Sequence, residues 1–321
     1  MRKIAVLDRF LNEKHRAAIN ETAEKYGFTV EYFRSSTLPA GTETEYEVLY
    51  GLPALSQLKS MTHLKWFCAG FAGVDLYTDD ALYPNPEVLL TNSSGAYGVT
   101  ISEHIIMVTL MLLRQYPAFK AVVDAHQWVQ EMPMRSICGS RITVLGIGDI
   151  GTSFAVRAKA MGAAHICGVR RSSAPGPDCY DEVISFDKMD SVLPKTDILV
   201  MALPATPETV GILSKSRLAL LSRHAIVVNV GRGNAIDQEA LMDALNQEQI
   251  AGAALDVMVP EPLPKDHPLW DTKHLLITPH CSGNFSLDIT RDKHVTMFCE
   301  DLENYAAGKP LAHLVDRKRG Y

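Results

Sequence analysis

Short apolar runs bounded by turn residues recur along this chain, with amphipathic stretches between them. That is the signature of parallel strands buried on both faces by helices. One series of predicted strands runs through Lys3–Leu7, Phe28–Phe33, Glu47–Tyr50, Lys65–Cys68 and Val88–Thr91. A second runs through Arg141–Leu145, His165–Val169, Ile198–Ala202, Ala225–Asn229, Gly252–Asp256 and Leu275–Thr278, with helices expected near Gly151–Met161, Lys215–Leu221 and Gln238–Asn246. Between the series lies the most apolar stretch, Ile101–Leu113. Thr100-Ile101-Ser102-Glu103 reads as a capping box at its head, and Pro117 as its stop. A last helix is expected over about 287–305, long enough to carry the C-terminus back to the first domain.

Length and composition narrow the picture. At 321 residues, two domains are expected, and 47% apolar with 21% charged residues is ordinary globular usage. The net charge of -6 has the wrong sign for holding nucleic acid or an anionic membrane by bulk charge, so a small molecule or another protein is the expected partner. The apolar stretch contains Glu103 and His104 and falls short of the ~20 residues of a membrane-spanning helix. Asp8 interrupts the N-terminal apolar run, so no export signal is read there. Six scattered cysteines form no CxxC pair; neither a metal site nor a disulfide framework is expected, and a cytoplasmic location is.

The strongest local motif follows Arg141–Leu145: Gly146-Ile147-Gly148-Asp149-Ile150-Gly151, between a strand and a helix. Gly146 permits the turn, Gly148 lets a pyrophosphate approach the backbone, and Gly151 lets helix and strand pack, which is the Rossmann dinucleotide fingerprint. About twenty residues on, where an acid would bind the ribose of NAD, the chain has Arg170 and Arg171 followed by Ser172 and Ser173. Guanidinium groups there favour a 2′-phosphate, so NADP(H) is expected over NAD(H). Three other strand ends carry Arg232, Glu261 and His280. The trio suits hydride addition to a 2-oxoacid: Arg232 for the carboxylate and polarised carbonyl, His280 for the proton, Glu261 to orient His280 and raise its pKa.

With these residues in view, the chain resembles the D-isomer-specific 2-hydroxyacid dehydrogenases, which include glyoxylate/hydroxypyruvate reductases. The matching stretches span nearly the whole chain: Ala69–Asp75, Thr91–Gly95, Ser102–His104, Gly146–Gly151, Leu203–Thr209, Asn229–Gly233, Leu255–Leu263 and Thr278–His280. The resemblance implies two doubly wound α/β domains, with a Rossmann cofactor domain (99–287) inserted in a flavodoxin-like substrate domain (1–98 and 288–321). It implies catalytic roles for Arg232, Glu261 and His280. The substrate carboxylate would rest on the backbone amides of Phe71, Ala72, Gly73 and Val74. Cofactor contacts would come from Thr100, Asp149, Ile150, Leu203, Pro204, Thr209, Val230, Asp256 and Gly283, and the protein would be a homodimer.

Two departures stand out. Many relatives have a basic or amide residue at Asp149, and Ala96-Tyr97-Gly98 is atypical. The alternative from another class is a dinucleotide-sensing regulatory protein on the same fold, which would lack 2-oxoacid turnover. A methyltransferase would not need the Arg/Glu/His set, and formate dehydrogenases carry an amide at Glu261. The side-chain pocket is expected from the loops after Tyr50-Gly51-Leu52 and around Phe71 and Tyr97, with Trp270.

Overall fold

A computed structural model describes residues 2–172 and 174–320 of the protein. The chain divides into two compact units, Met1–Tyr97 with Asn284–Tyr321, and Gly98–Gly283. Each boundary falls slightly before the position expected from sequence, Gly98 against Val99 and Gly283 against Leu287. At the first the helix already begins at Gly98. At the second Phe285 stacks on Phe10 of the first unit.

The first unit is a five-stranded sheet of β1 (Arg2–Leu7), β2 (Phe28–Phe33), β3 (Val48–Gly51), β4 (Trp66–Ala69) and β5 (Leu89–Thr91), in order β2-β1-β3-β4-β5. All pairs are parallel. Successive side chains of a strand point to opposite faces, and here both faces are apolar. Ile4, Val6, Tyr50 and Trp66 meet helices Glu13–Lys25 and Asp288–Ala306 through Ile19, Ala23, Phe298 and Leu302. Ala5, Leu7, Leu49 and Phe67 bury a second core with Leu58, Met61 and Tyr77. The C-terminal tail ends along β5, where the Val315 N–H donates to the Leu90 carbonyl at 2.9 Å. The helix Glu13–Lys25 is invisible to periodicity because its buried stripe is only His15, Ile19 and Ala23. Asn12 starts it by capping the His15 N–H at 3.1 Å.

The second unit has seven strands: β6 (Arg141–Leu145), β7 (His165–Arg170), β8 (Glu182–Ser185), β9 (Ile198–Met201), β10 (Ile226–Asn229), β11 (Gly252–Leu255) and β12 (Leu275–Ile277). Their order is β12-β11-β10-β9-β6-β7-β8 and every pair is parallel. Chain order reverses between β6 and β9, which opens the crevice where doubly wound sheets bind ligands. β8 escaped the sequence reading because it is a short edge strand with only Ile184 buried.

Two readings at the apolar helix need correction. The helix spans Gly98–Leu113, so Thr100 and Ser102 lie inside it rather than capping it. The Ser102 hydroxyl donates back to the Val99 carbonyl at 2.9 Å. Pro117 does not stop it either: Gln115 ends it at φ 53°, and Pro117 sits in the first turn of a new helix, Tyr116–Asp124, where a missing N–H costs nothing. No single helix among the described residues is long and apolar enough to cross a membrane.

Phe298 joins the C-terminal helix to the N-terminal strands, its ring 4.4 Å from Tyr50 and 5.4 Å from Trp66. Phe298→Ala is expected to destabilise the first unit by about 3–5 kcal/mol. Urea unfolding followed by tryptophan fluorescence, with Trp66 as reporter, measures it; a loss under 1 kcal/mol (about fivefold in the unfolding equilibrium) would contradict the packing.

Candidate active site

Because all seven strands of the second unit run parallel, the loops leaving their carboxyl ends share one edge. The loop after β6 holds the glycine motif. Gly146 adopts φ +94°, and a β-carbon at Gly151 would collide with the Gly146 carbonyl. Packing therefore explains both. It does not explain Gly148, where a β-carbon would meet no protein atom within 4 Å. That open space lies at the N-cap of the helix Asp149–Ala160, where backbone N–H groups and the helix dipole favour an anion. The motif thus fits a dinucleotide pyrophosphate. Asp149, the departure noted in sequence, turns its carboxylate against Gly98, leaving no room there for a β-carbon. Its Oδ2 is buried without a hydrogen bond among the described residues. Ile150 follows, half-buried.

Arg170 ends β7 and Arg171 follows it into solvent. Glu208 is held below the usual carboxylate range, first by its own backbone N–H, then by the Thr206 hydroxyl and more weakly by Arg171. Ser172 is exposed, and Ser173 lies outside the described residues. After β9, Leu203 and Thr209 are buried. The Thr209 hydroxyl donates to the Pro204 carbonyl at 2.7 Å and accepts from the Thr206 N–H at 2.9 Å, closing that loop.

The loops carrying Arg232, Glu261 and His280 interlock. The Asn229 amide clamps the first, donating to the Arg232 carbonyl at 2.9 Å and accepting from the Gly231 N–H at 3.1 Å. Val230 is buried beneath it, and the Arg232 Nη1 donates to the Gly231 carbonyl at 2.9 Å. A β-carbon at Gly233 would strike the Met258 backbone, so the Arg232 loop rests directly on the next one. There the Met258 N–H donates to Glu261 Oε1 at 2.9 Å, and Gln238 pins Val259 with paired bonds of 2.8 and 3.0 Å. The other Glu261 oxygen, Oε2, is 2.7 Å from His280 Nδ1. The carboxylate can only accept here, so Nδ1 carries a proton and Nε2 is turned away from Glu261.

His280 stands at φ +49°, a left-handed conformation few residues with side chains adopt. Its N–H donates to the Asp256 carbonyl at 2.9 Å. The buried Asp256 carboxylate then accepts from Cys281 N (3.0 Å), Ser282 N (3.1 Å) and the Thr278 hydroxyl (2.6 Å). Thr278 spends its only proton on Asp256, so His104 Nε2, 3.2 Å away, must be the donor to Thr278. Burial lowers the His104 pKa and the Asp256 charge partly offsets it, which favours the neutral ring, and the bond to Thr278 places its proton on Nε2. Thr100, on the same helix as His104, is buried, and Gly283 ends the unit, half-buried. Sequence reasoning gave no role to His104, Gln238 or Asn229. Trp270, expected near the side-chain pocket, donates its indole N–H to the Pro264 carbonyl at 2.8 Å.

In the first unit, the loop after β4 carries Phe71–Val74. Its carbonyls are engaged from behind: Ser93 N–H to Phe71 at 3.1 Å and the Asn92 amide to Ala72 at 2.8 Å. The N–H groups of Ala72, Gly73 and Val74 donate to no group among the described residues, leaving three successive donors suited to an anion. Among the described residues no cluster of His, Cys, Asp or Glu is placed to hold a metal ion.

Comparison with known proteins accords with this geometry. The family model for the D-isomer specific 2-hydroxyacid dehydrogenase NAD binding domain matches residues 106–282. The chain belongs to this family. It is 30% identical over 277 residues to a glyoxylate/hydroxypyruvate reductase A of Escherichia fergusonii, covering 84% of this chain and 85% of that one. A D-isomer specific 2-hydroxyacid dehydrogenase family protein from Aeromonas salmonicida superposes with TM-score 0.85 at 30% identity, over 98% of this chain and 99% of that one. An NADPH-dependent glyoxylate/hydroxypyruvate reductase from Sinorhizobium meliloti, solved with NADP and sulfate, gives TM-score 0.84 at 26% identity, over 100% of both chains. The protein is thus a D-2-hydroxyacid dehydrogenase on two parallel-sheet α/β domains, one of them of the Rossmann type.

In this dehydrogenase Thr278→Val removes the hydroxyl that links His104 to Asp256. It is expected to cost about 1–3 kcal/mol by stranding buried polar groups and to lower kcat at least tenfold. Thr278→Ser should restore both. Melting curves and steady-state kinetics of the two variants check this; failure of serine to rescue would show that the methyl group, not the hydroxyl, matters.

Proposed function

We propose that this dehydrogenase transfers a hydride between NADP(H) and a 2-oxoacid/D-2-hydroxyacid pair, working as a 2-oxoacid reductase of the glyoxylate/hydroxypyruvate type. The observation that carries the reading is the 2.7 Å bond between His280 Nδ1 and Glu261 Oε2, on the strand edge that also bears the phosphate loop and Arg232. When bound, the dinucleotide supplies or accepts the hydride. Gly146, Gly148 and Gly151 with the Ile150 turn would hold its pyrophosphate, and Arg170 and Arg171 its 2′-phosphate. Thr100, Asp149, Leu203, Pro204, Thr209, Val230, Asp256 and Gly283 would line the rest, with Asp256 acting chiefly through the His280 loop.

The chain's own chemistry follows from the geometry. Glu261 fixes the His280 ring through Nδ1, so the proton that moves to the carbonyl oxygen in reduction leaves from Nε2, and in oxidation it returns there. Arg232 offers a planar fork for the carboxylate and the polarised carbonyl. The N–H groups around Phe71, Ala72, Gly73 and Val74 take the substrate carboxylate.

The protein is also proposed to be a homodimer. Helix Tyr116–Asp124 buries none of its residues in its own chain, and Met107, Val123 and Trp128 are exposed, Trp128 by 89%. Exposed apolar side chains of this kind support that reading. A reducing compartment such as the cytoplasm suits the six free cysteines.

His280→Gln is expected to lower kcat by about 10²–10⁴ with little change in NADPH affinity, as for loss of a general acid; near-normal turnover would refute its role. Arg232→Ala should depress kcat/KM for the 2-oxoacid. NADPH should be used at least tenfold more efficiently than NADH, and Arg170→Ala with Arg171→Ala should collapse that ratio; a clear NADH preference in the unaltered enzyme would remove the case for NADP(H). Val123→Glu with Trp128→Glu should halve the mass seen by sedimentation.

A further inference from the structure

The first unit holds a cavity of about 290 Å³ at the carboxyl ends of its strands. Chain order in that sheet reverses between β1 and β3, and the cavity opens among the loops leaving those strands, where an open parallel sheet binds ligands. Ligand pockets run from about 300 to 1,000 Å³, so this one suits a short molecule.

Its walls are fixed from behind. Phe10 stacks on Phe285 with ring centres 5.6 Å apart, and Phe285 leans on Tyr97 and His294. The Phe10 carbonyl accepts from Arg291 at 2.8 Å. Opposite, the Ser36 carbonyl accepts from the Ala54 N–H and the Gln57 amide, both at 2.8 Å. Leu52 and Phe71 complete an apolar lining. Tyr97, expected to line the pocket, stands behind Phe285 instead.

The charges are the informative part. Arg9 and Arg34 both line the cavity, and neither makes a hydrogen bond or ion pair among the described residues. Arg9 lies over the Phe10 ring, 5.1 Å from its centre. The one carboxylate in the lining, Asp8, is engaged in its own turn, accepting from the Phe10 N–H at 2.6 Å. The cavity is therefore net cationic in a protein of net charge -6.

We propose that this cavity receives the far end of the substrate, and that the preferred substrates are short 2-oxoacids bearing a second anionic group, a carboxylate or a phosphate, which Arg9 and Arg34 bind. The proposal rests on the 2-oxoacid reading above and narrows it away from glyoxylate and hydroxypyruvate, neither of which carries a second anionic group. Phe71 supplies the link, since it both lines the cavity and opens the loop whose N–H groups take the first carboxylate. A chain of a few carbons running from that loop over Phe71 brings its other end to the guanidinium groups, whose forked donors match carboxylate or phosphate oxygens. Glyoxylate, with no side chain, leaves the cavity unused.

The test is steady-state reduction by the full-length protein of 2-oxoglutarate, oxaloacetate and 3-phosphohydroxypyruvate against 2-oxovalerate, 2-oxobutyrate and hydroxypyruvate. The proposal expects kcat/KM at least tenfold higher for the doubly anionic acids. The first two report a carboxylate and the third a phosphate. Arg9→Gln and Arg34→Gln should each reduce the 2-oxoglutarate to 2-oxovalerate ratio severalfold, and the double variant should abolish it. Calorimetric titration of 2-oxoglutarate into the unaltered protein and the double variant reads the same site without turnover. Binding that depends on the arginines with no reduction of any acid would sink the catalytic reading and leave the pocket assignment standing. Turnover of all acids with equal efficiency, or a ratio indifferent to both arginines, overturns the pocket assignment alone.

Discussion

The buried carboxylate of Asp256 holds the rest of the site in place. It gathers the Thr278 hydroxyl and the Cys281 and Ser282 N–H groups, and its own carbonyl takes the His280 N–H. Those four bonds help to hold His280 in a left-handed turn that costs it of order 1 kcal/mol or more. With them, the ring meets Glu261, and through Met258 and Gly233 the same rigidity reaches Arg232. A carboxylate with only 2% of its surface exposed is itself costly unless its lone pairs are filled, so loop and charge stabilise each other. His104 closes this network from the apolar helix, where an ionisable residue otherwise makes little sense.

Much of this organisation was legible in the sequence, and the limits were physical. Strands such as Arg141–Leu145 and the helix Gln238–Asn246 fall where periodicity puts them, because their burial is dense and their pattern follows. β8 and the helix Glu13–Lys25 expose most of their surface and leave little pattern to read. Pro117 misled because proline is compatible with the first turn of a helix as well as with an end. Arg232, Glu261 and His280 could be singled out because a parallel sheet brings its strand ends to one edge, so topology alone assembles them. His104 stood out only as a polar break in an apolar helix, and its role could not be read because its partner Thr278 lies 174 positions away. Gln238 looks like any helix-start residue until Val259 is seen against it.

The glycine motif shows how structure separates packing from ligand. Gly146 and Gly151 would be needed in any tight strand-to-helix turn, so their presence alone says little about function. Gly148 is different, because its missing side chain clears space that no protein atom occupies. Asp149 next to it ought to repel a pyrophosphate, yet its carboxylate is turned against Gly98. Gly98 belongs to the Ala96-Tyr97-Gly98 segment, read as atypical from the sequence. In this chain the absent side chain of Gly98 makes room for the Asp149 carboxylate.

Charge follows the same local logic. With a net charge of -6, the protein as a whole opposes the approach of anionic reactants, and at physiological salt that field fades within about 8 Å. Recognition must then reside in groups at contact distance. The arginines proposed for that task stand at or just past the carboxyl ends of strands: Arg170, Arg171 and Arg232 in the second unit, Arg9 and Arg34 in the first. On the proposed reading each sheet offers an anion backbone N–H groups together with arginines, at the edge where its topology leaves a crevice. The selectivity of such a site lies in where the arginines stand, because the backbone donors are indifferent to what is attached to the anion they hold.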